Sequence, residues 1–286
     1  MKKETLIMQI GDFKMHLDPL KRGISGALWG QGYREPCFMW IIKKEATEGI
    51  GVDMGANLGY VTLPLCQQLD YVIAIEPDQR SIKLLKKNIK ENNFLEKTKI
   101  CKFAISNRVG QETIYLAKKN PNLNTFCSNE RLKKKKDLMG TKIVKTRTLD
   151  SLNILPNFVK IDIEGYEVEA IWGGLETLRR SEKCKLLIEV HPQFYDEKRD
   201  FSKVLYELFN IGFNVKYIVS AGCECPNIFK QKGYTPFKSM KDGLRKRGIF
   251  KNVSKEDAVD FCSFTHIVSA QNNNKTKVAR SILLVK

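Results

Sequence analysis

The chain is poor in the features that would place it in or across a membrane. None of its apolar runs approaches the length of a span, and the run between Glu4 and Asp12 is too short for a signal peptide. The eight cysteines are scattered, and the one close pair, Cys223 and Cys225, has a spacing that is neither a zinc nor a redox motif. Reduced thiols and a cytoplasmic location are therefore expected. Internal repeats and low-complexity linkers are absent too, so the 286 residues read as one domain with appendages. Acidic residues are outnumbered, 32 against 49 lysines and arginines, which leaves a net charge of +17. That balance suits phosphate-bearing partners or peripheral contact with an anionic membrane, but it says nothing about fold.

A dinucleotide fingerprint is missing as well. It would place glycines where Gly55, Asn57 and Tyr60 stand, and only the first fits, with the bulk of Tyr60 obstructing a pyrophosphate. What stands there is Gly51-Val-Asp-Met-Gly-Ala-Asn-Leu-Gly-Tyr60. Ile50 and Val52 predict the end of a buried strand, followed by a small-residue loop and a helix starting near Gly59. Asp53, at the strand's end, can accept hydrogen bonds from a group lying over the loop, and the helix turns free N–H groups toward the same crevice.

Acidic residues recur at predicted strand ends. Tyr71–Asp78 reads as a second buried strand ending in Glu76, where a doubly wound fold grips a ribose through both vicinal hydroxyls. Helix Gln79–Asn92 follows, and Lys99–Ile105 is the expected third strand. Gln111–Leu116 and Lys142–Arg147 predict two extra strands flanking an insertion that holds Asn124-Thr-Phe-Cys-Ser128 and the basic run Arg131–Lys136. A fourth strand, Phe158–Ile163, delivers Asp162 and Glu164 to the switch point and passes into a helix Tyr166–Leu178. The fifth, Lys185–Val190, brings Glu189 and His191 to the same edge. Helix Phe201–Asn210, strand Asn214–Val219, a basic insertion and a last strand Cys262–Ala270 complete the alternation. The expected division is an N-terminal cap (1–49), a domain over 50–270 with insertions at about 118–141 and 220–260, and a basic tail over 271–286.

The pattern Asp-x-Gly-x-Asn-x-Gly resembles the loop of class I S-adenosylmethionine (SAM) methyltransferases. Together with Ile75-Glu-Pro-Asp78, Val159-Lys-Ile-Asp-Ile-Glu-Gly165 and Glu167, and with Thr148–Asp150 and Leu187–Pro192, it resembles the FkbM family of SAM-dependent methyltransferases over roughly residues 20 to 220. The resemblance implies a doubly wound, mostly parallel α/β sheet of seven strands, Rossmann-like, with its last strand antiparallel. It implies O-methylation, with sugar, glycan or polyketide hydroxyls as acceptors. Carried over by position, Asp53, Gly55, Asn57, Gly59 and Tyr60 would surround the methionine part of SAM. Glu76 and Pro77 would serve the ribose, and Ala104, Ile105 and Ser106 the adenine. Asp162 and Glu164 would stand beside the transferred methyl. Glu35 either folds back over the cofactor's amino group or is an ordinary first-turn carboxylate beside Pro36.

Transfer to a hydroxyl needs a base, and Asp162, Glu164, Glu189 and His191 are the candidates. The same carboxylates could instead hold a divalent metal that polarises the hydroxyl, the less favoured alternative. Two other readings stay open: an RNA methyltransferase, motivated by charge, and a non-catalytic binding protein on the same fold. Against RNA, the basic stretches lack interleaved aromatics and no Asn-Pro-Pro-Tyr-like motif occurs. Oligomeric state is not legible.

Overall fold

The computed structural model describes residues 5–118, 124–126, 138–263 and 278–286. The basic run Arg131–Lys136 and positions 264–270 of the expected last strand lie outside them. The chain opens on a hairpin, β1 (Leu6–Ile10) and β2 (Phe13–Leu17), and continues through helices Ile24–Gln31 and Pro36–Glu45. The alternating part follows as β3 (Ile50–Met54), helix Thr62–Gln68, β4 (Tyr71–Ile75), helix Gln79–Glu91 and β5 (Thr98–Cys101). Then come β6 (Ala104–Ile105), β7 (Gly110–Ala117), β8 (Leu138–Arg147), β9 (Phe158–Ile161), β10 (Lys185–Glu189) and β11 (Asn214–Ser220). The chain ends on β12 (Lys238–Asp242), β13 (Arg245–Phe250), helix Lys255–Cys262 and β14 (Ala279–Val285).

One nine-stranded sheet runs in the order β12-β13-β11-β14-β10-β9-β3-β4-β5. Strands β10, β9, β3, β4 and β5 are mutually parallel, and β14 lies antiparallel between β10 and β11. The expected seven strands are thus corrected to nine, because residues 238–250 add an antiparallel pair outside β11. Of the segment read as a basic tail, 271–286, the described residues form β14 over Ala279–Val285. Its Ile282, Leu283 and Leu284 are fully buried, since a strand between two others must be apolar on both faces.

Side-chain alternation splits the core. Val52, Met54, Val159, Ile161, Leu186 and Ile188 pack on one face against helix Phe201–Asn210, which Asp200 caps by accepting from the Ser202 N–H. Phe158, Leu187 and Leu283 pack on the other, against helix Pro36–Glu45. Helix Gln79–Glu91 starts at Asp78, whose carboxylate accepts from the Arg80 N–H at 3.1 Å, and buries Ile82, Leu85 and Ile89.

Three more boundaries differ from expectation. Lys99–Ile105 is not one strand: β5 stops at Cys101, and Ala104–Ile105 pairs with Thr146 and Arg147 of β8 in a separate sheet, β6-β8-β7. Helix Tyr166–Leu178 is two short helices, Glu167–Trp172 and Leu175–Arg180, parted at Gly173. That residue lies so close to the Ser106 carbonyl that a Cβ there would sit 2.1 Å from its oxygen. Cys262 ends a helix rather than opening a strand. Among the described residues, no helix is long and apolar enough to cross a membrane.

Candidate active site

The carboxyl ends of β3, β4, β9 and β10 open into a cleft. It is closed on one side by residues 24–35 and on another by the small sheet with residues 124–126. Of the residues singled out in the sequence, Glu35, Gly55, Asn57, Tyr60, Glu76, Pro77, Ala104, Ile105, Asp162, Glu164 and Glu189 line it together. Asp53, Gly59, Ser106 and His191 do not.

Asp53 corrects the expectation of a ligand-facing acid. It is fully buried, directly opposite Lys160 in the β3–β9 register, with its Oδ1 2.9 Å from the Lys160 Nζ. Its Oδ2 accepts from the Thr62 hydroxyl at 2.7 Å, tying the strand end to the following helix. Lys160 also donates to the carbonyls of Met54 and Gly55, at 3.1 and 2.8 Å, so the pair braces the loop from beneath. Burial works against the Lys160 charge, yet Asp53 and Asp162 hold its pKa above the ordinary lysine value. Gly55 has φ +80 and passes so close to the next strand that a Cβ would sit 2.1 Å from the Asp162 carbonyl oxygen. Ser106 is likewise buried and spends its hydroxyl on Glu112, at 3.0 Å.

Glu76 faces the cleft from one residue past β4. Its two oxygens accept from the backbone N–H groups of Asn57 and Asp78, at 2.9 and 2.8 Å, which fixes the carboxylate while leaving lone pairs for a ligand. Burial pushes its pKa up to about 7 despite those donors. Glu35, Asn57 and Glu164 each adopt φ +50, a left-handed backbone that non-glycine residues seldom take and that clusters at functional sites.

The opposite wall carries most of the charge. Asp162 has its pKa raised to about 7, through burial first and the Glu189 charge second, with Lys160 and His191 opposing. Behind it His191 is buried, with Nδ1 2.9 Å from Glu167 and Nε2 3.1 Å from Glu189, 3.7 Å from Glu164 and 3.9 Å from Asp162. Tyr195 donates to the other Glu167 oxygen at 2.8 Å. Burial alone would raise the Glu167 carboxyl, but the charge and hydrogen bond of His191 hold it below the usual range. An ionised carboxylate only accepts, so Nδ1 carries a proton and Nε2 is the atom turned to the cleft side. Asp162, Glu164 and His191 also offer ligand atoms within 4.8 Å of one another and could hold a metal ion.

Sequence reasoning missed two basic residues here. Lys160 stood in a quoted motif without a role, and Arg280, assigned to the tail, lines the cleft and pairs with Glu189 at 2.9 Å and with Glu35. Tyr60 accepts from the Arg34 N–H at 2.9 Å and donates to the Arg34 carbonyl at 2.8 Å, which pins residues 34–35 over the cleft. Its bulk, read as an obstruction, is a clasp. Asn124 and Phe126 also line the cleft; the only hint in the sequence was their place at the centre of a polar insertion.

Residues 53–215 match the methyltransferase FkbM domain, more than half of the chain. The chain belongs to the FkbM methyltransferase family. It is therefore a SAM-dependent methyltransferase, as the motifs implied. No curated protein matches the methyltransferase in sequence. Among solved structures, it is similar to FkbM methyltransferase from Methylobacillus flagellatus (16% identity, TM-score 0.39), covering 72% of this chain and 44% of that one. It is also similar to M. jannaschii TYW2 in complex with AdoMet (15%, TM-score 0.41, 88% and 89% covered). A third is Trm5b from Pyrococcus abyssi (14%, TM-score 0.43, 88% and 56%). The cleft itself fits the cofactor: Glu76 is an acid fixed by backbone donors beside a glycine loop, and Ala104, Ile105 and Ile114 add apolar lining.

Proposed function

We propose that this methyltransferase transfers a methyl group to a hydroxyl of a carbohydrate or glycan-type acceptor. The observation that carries the reading is the pairing of Asp162, on the cleft wall with a pKa raised to about 7, with His191 behind it. SAM supplies a methyl group already activated by a positively charged sulfur. What the chain must add is alignment and a proton acceptor, and a base poised near neutrality suits an alcohol acceptor. Asp162 faces the cleft and takes the hydroxyl proton. His191 acts as a positioning residue: Glu167, itself fixed by the Tyr195 hydroxyl, holds its ring, and Nε2 steadies the carboxylates in front of it. Glu76 serves the ribose hydroxyls, and Tyr60 with Arg34 keeps the N-terminal segment closed over the cleft.

The test is methyl transfer from labelled SAM to glycan, lipid and RNA fractions, with calorimetry for SAM itself. Asp162→Asn is expected to lower turnover by about 10²–10⁴-fold. Unchanged turnover would remove Asp162 from the role of base, and no SAM binding by the wild type would end the reading.

One surface favours the RNA reading. Half-buried Trp40 and exposed Phe237 cluster with the buried Tyr217, ring centroids 5.5 to 5.8 Å apart, although distant in sequence. Lys44 and Lys238 lie over Trp40 at 4.8 and 5.5 Å, and Lys251 over Phe237 at 4.0 Å. Folding thus supplies the interleaving of cations and aromatics that linear stretches lacked. Salt-sensitive retention of single-stranded RNA, lost in Trp40→Ala, would shift the acceptor to RNA.

A further inference from the structure

The β12–β13 hairpin outruns the strand it pairs with. β13 meets β11 only at Phe250 with Ile218 and Ile249 with Val219, so residues 242–245 stand beyond the end of β11. β11 runs parallel to β10, both being antiparallel to β14, and the tip therefore projects on the edge where the cleft opens. At that tip Leu244 is completely exposed (105%), and Lys241, Arg245 and Lys246 around it are exposed as well. The tip's own acid, Asp242, is taken up by Arg247 at 2.6 Å.

A Cβ at Gly243 would stand 3.4 Å from the Gln31 side chain, so the tip lies beside the segment that closes the cleft. That segment exposes Trp29 and Tyr33, with Leu20 exposed ahead of it and the Lys21 Nζ 4.0 Å above the Trp29 ring, while its Ile24 and Arg34 line the cleft. Exposed aliphatic and aromatic groups thus share one rim with cations. A leucine left wholly in water on a β-turn gains nothing from the fold, and exposed apolar groups beside cations at one edge mark a contact surface.

We propose that this rim docks on the surface of a bilayer carrying anionic lipids, so that the cleft faces an acceptor held at that surface. The chemistry is complementary. Lysine and arginine near the bilayer are drawn to its negative surface potential, tryptophan and tyrosine settle at headgroup depth, and Leu244 enters the hydrocarbon boundary. A nucleic acid would use flat rings for base stacking, and Leu244, the exposed apolar group at the tip, offers none. The inference rests on the methyl-transfer reading only for what the docking achieves.

The experiment is co-sedimentation of the full chain with vesicles of phosphatidylcholine alone and of phosphatidylcholine with about 30% phosphatidylglycerol. Wild type is expected to pellet with the anionic vesicles only. Leu244→Asp and the pair Lys241→Glu with Arg245→Glu are each expected to weaken that binding by about tenfold or more, with circular dichroism unchanged. Failure of wild type to pellet would overturn the proposal, as would a Leu244→Asp variant that pellets like wild type. Displacement from vesicles by single-stranded RNA, with Leu244→Asp retaining full RNA affinity, would overturn it too and assign the cations to nucleic acid. Calorimetry with SAM, run without vesicles, keeps a failure of the cofactor reading separate from a failure of docking.

Discussion

Asp53 and Glu76 end neighbouring parallel strands, and sequence gives both the same look, an acid after an apolar run. Their surroundings part them. Asp53 is still inside the β3–β9 ladder, facing Lys160 on a covered face, so its charge is spent on an internal ion pair. Glu76 lies one step past the last paired residue of β4, Ile75, and its side chain turns into the loop, where two backbone donors fix it at the cleft. A carboxylate at a strand tip becomes a ligand group only when no cross-strand partner claims it. The first braces the loop and the second is placed to read what the loop binds.

The sharpest way to break this contrast is Lys160→Met. It leaves Asp53 buried without its partner, and a loss of about 3–5 kcal/mol in urea unfolding is expected. Retained stability would mean Asp53 is not held as described. Glu76→Ala should leave the fold in place and weaken SAM binding by about tenfold or more, roughly 1.4 kcal/mol, as read by calorimetry. An unaltered affinity would remove Glu76 from the cofactor site.

Acidity separates the two further. Glu76 has its folded pKa raised from 4.5 to about 7 by burial, so the folded state binds more protons than the unfolded one in that window. The contribution of Glu76 to stability without ligand is therefore greatest below 4.5 and falls as pH rises toward 7, and Asp162 contributes with the same sign. Glu76→Gln should flatten part of that slope in unfolding curves collected from about pH 5 to 8. Dialysis against EDTA is expected to have the smallest effect, leaving turnover intact if Asp162 acts as base. A loss restored by Mg²⁺ would make Asp162, Glu164 and His191 ligands instead.

Much of the parallel half was legible. β3, β4 and β10 are short apolar runs ended by small or acidic residues, and helix Phe201–Asn210 falls where its capped, amphipathic pattern put it. In the antiparallel half only β11 was legible, expected over Asn214–Val219 and found over Asn214–Ser220. The apolar run in β14 follows a long insertion and sits next to the terminus, where local pattern cannot distinguish a central strand from a tail. Its place between β10 and β11, and with it Arg280 in the cleft, depends on partners some ninety and sixty residues away in sequence. The clasp of Tyr60 on Arg34 and the cluster of Trp40, Tyr217 and Phe237 are of the same kind.

By itself, the sequence settled the chemistry available: a glycine loop, acids at strand ends and a methyltransferase family. Those signals are local, carried by spacing within a few residues of one strand or turn. Only the tertiary structure decided which acid faces the cleft, which is neutralised inside, and which distant cations stand beside them. Charge is allotted by what lies across the neighbouring strand, and no linear spacing records that.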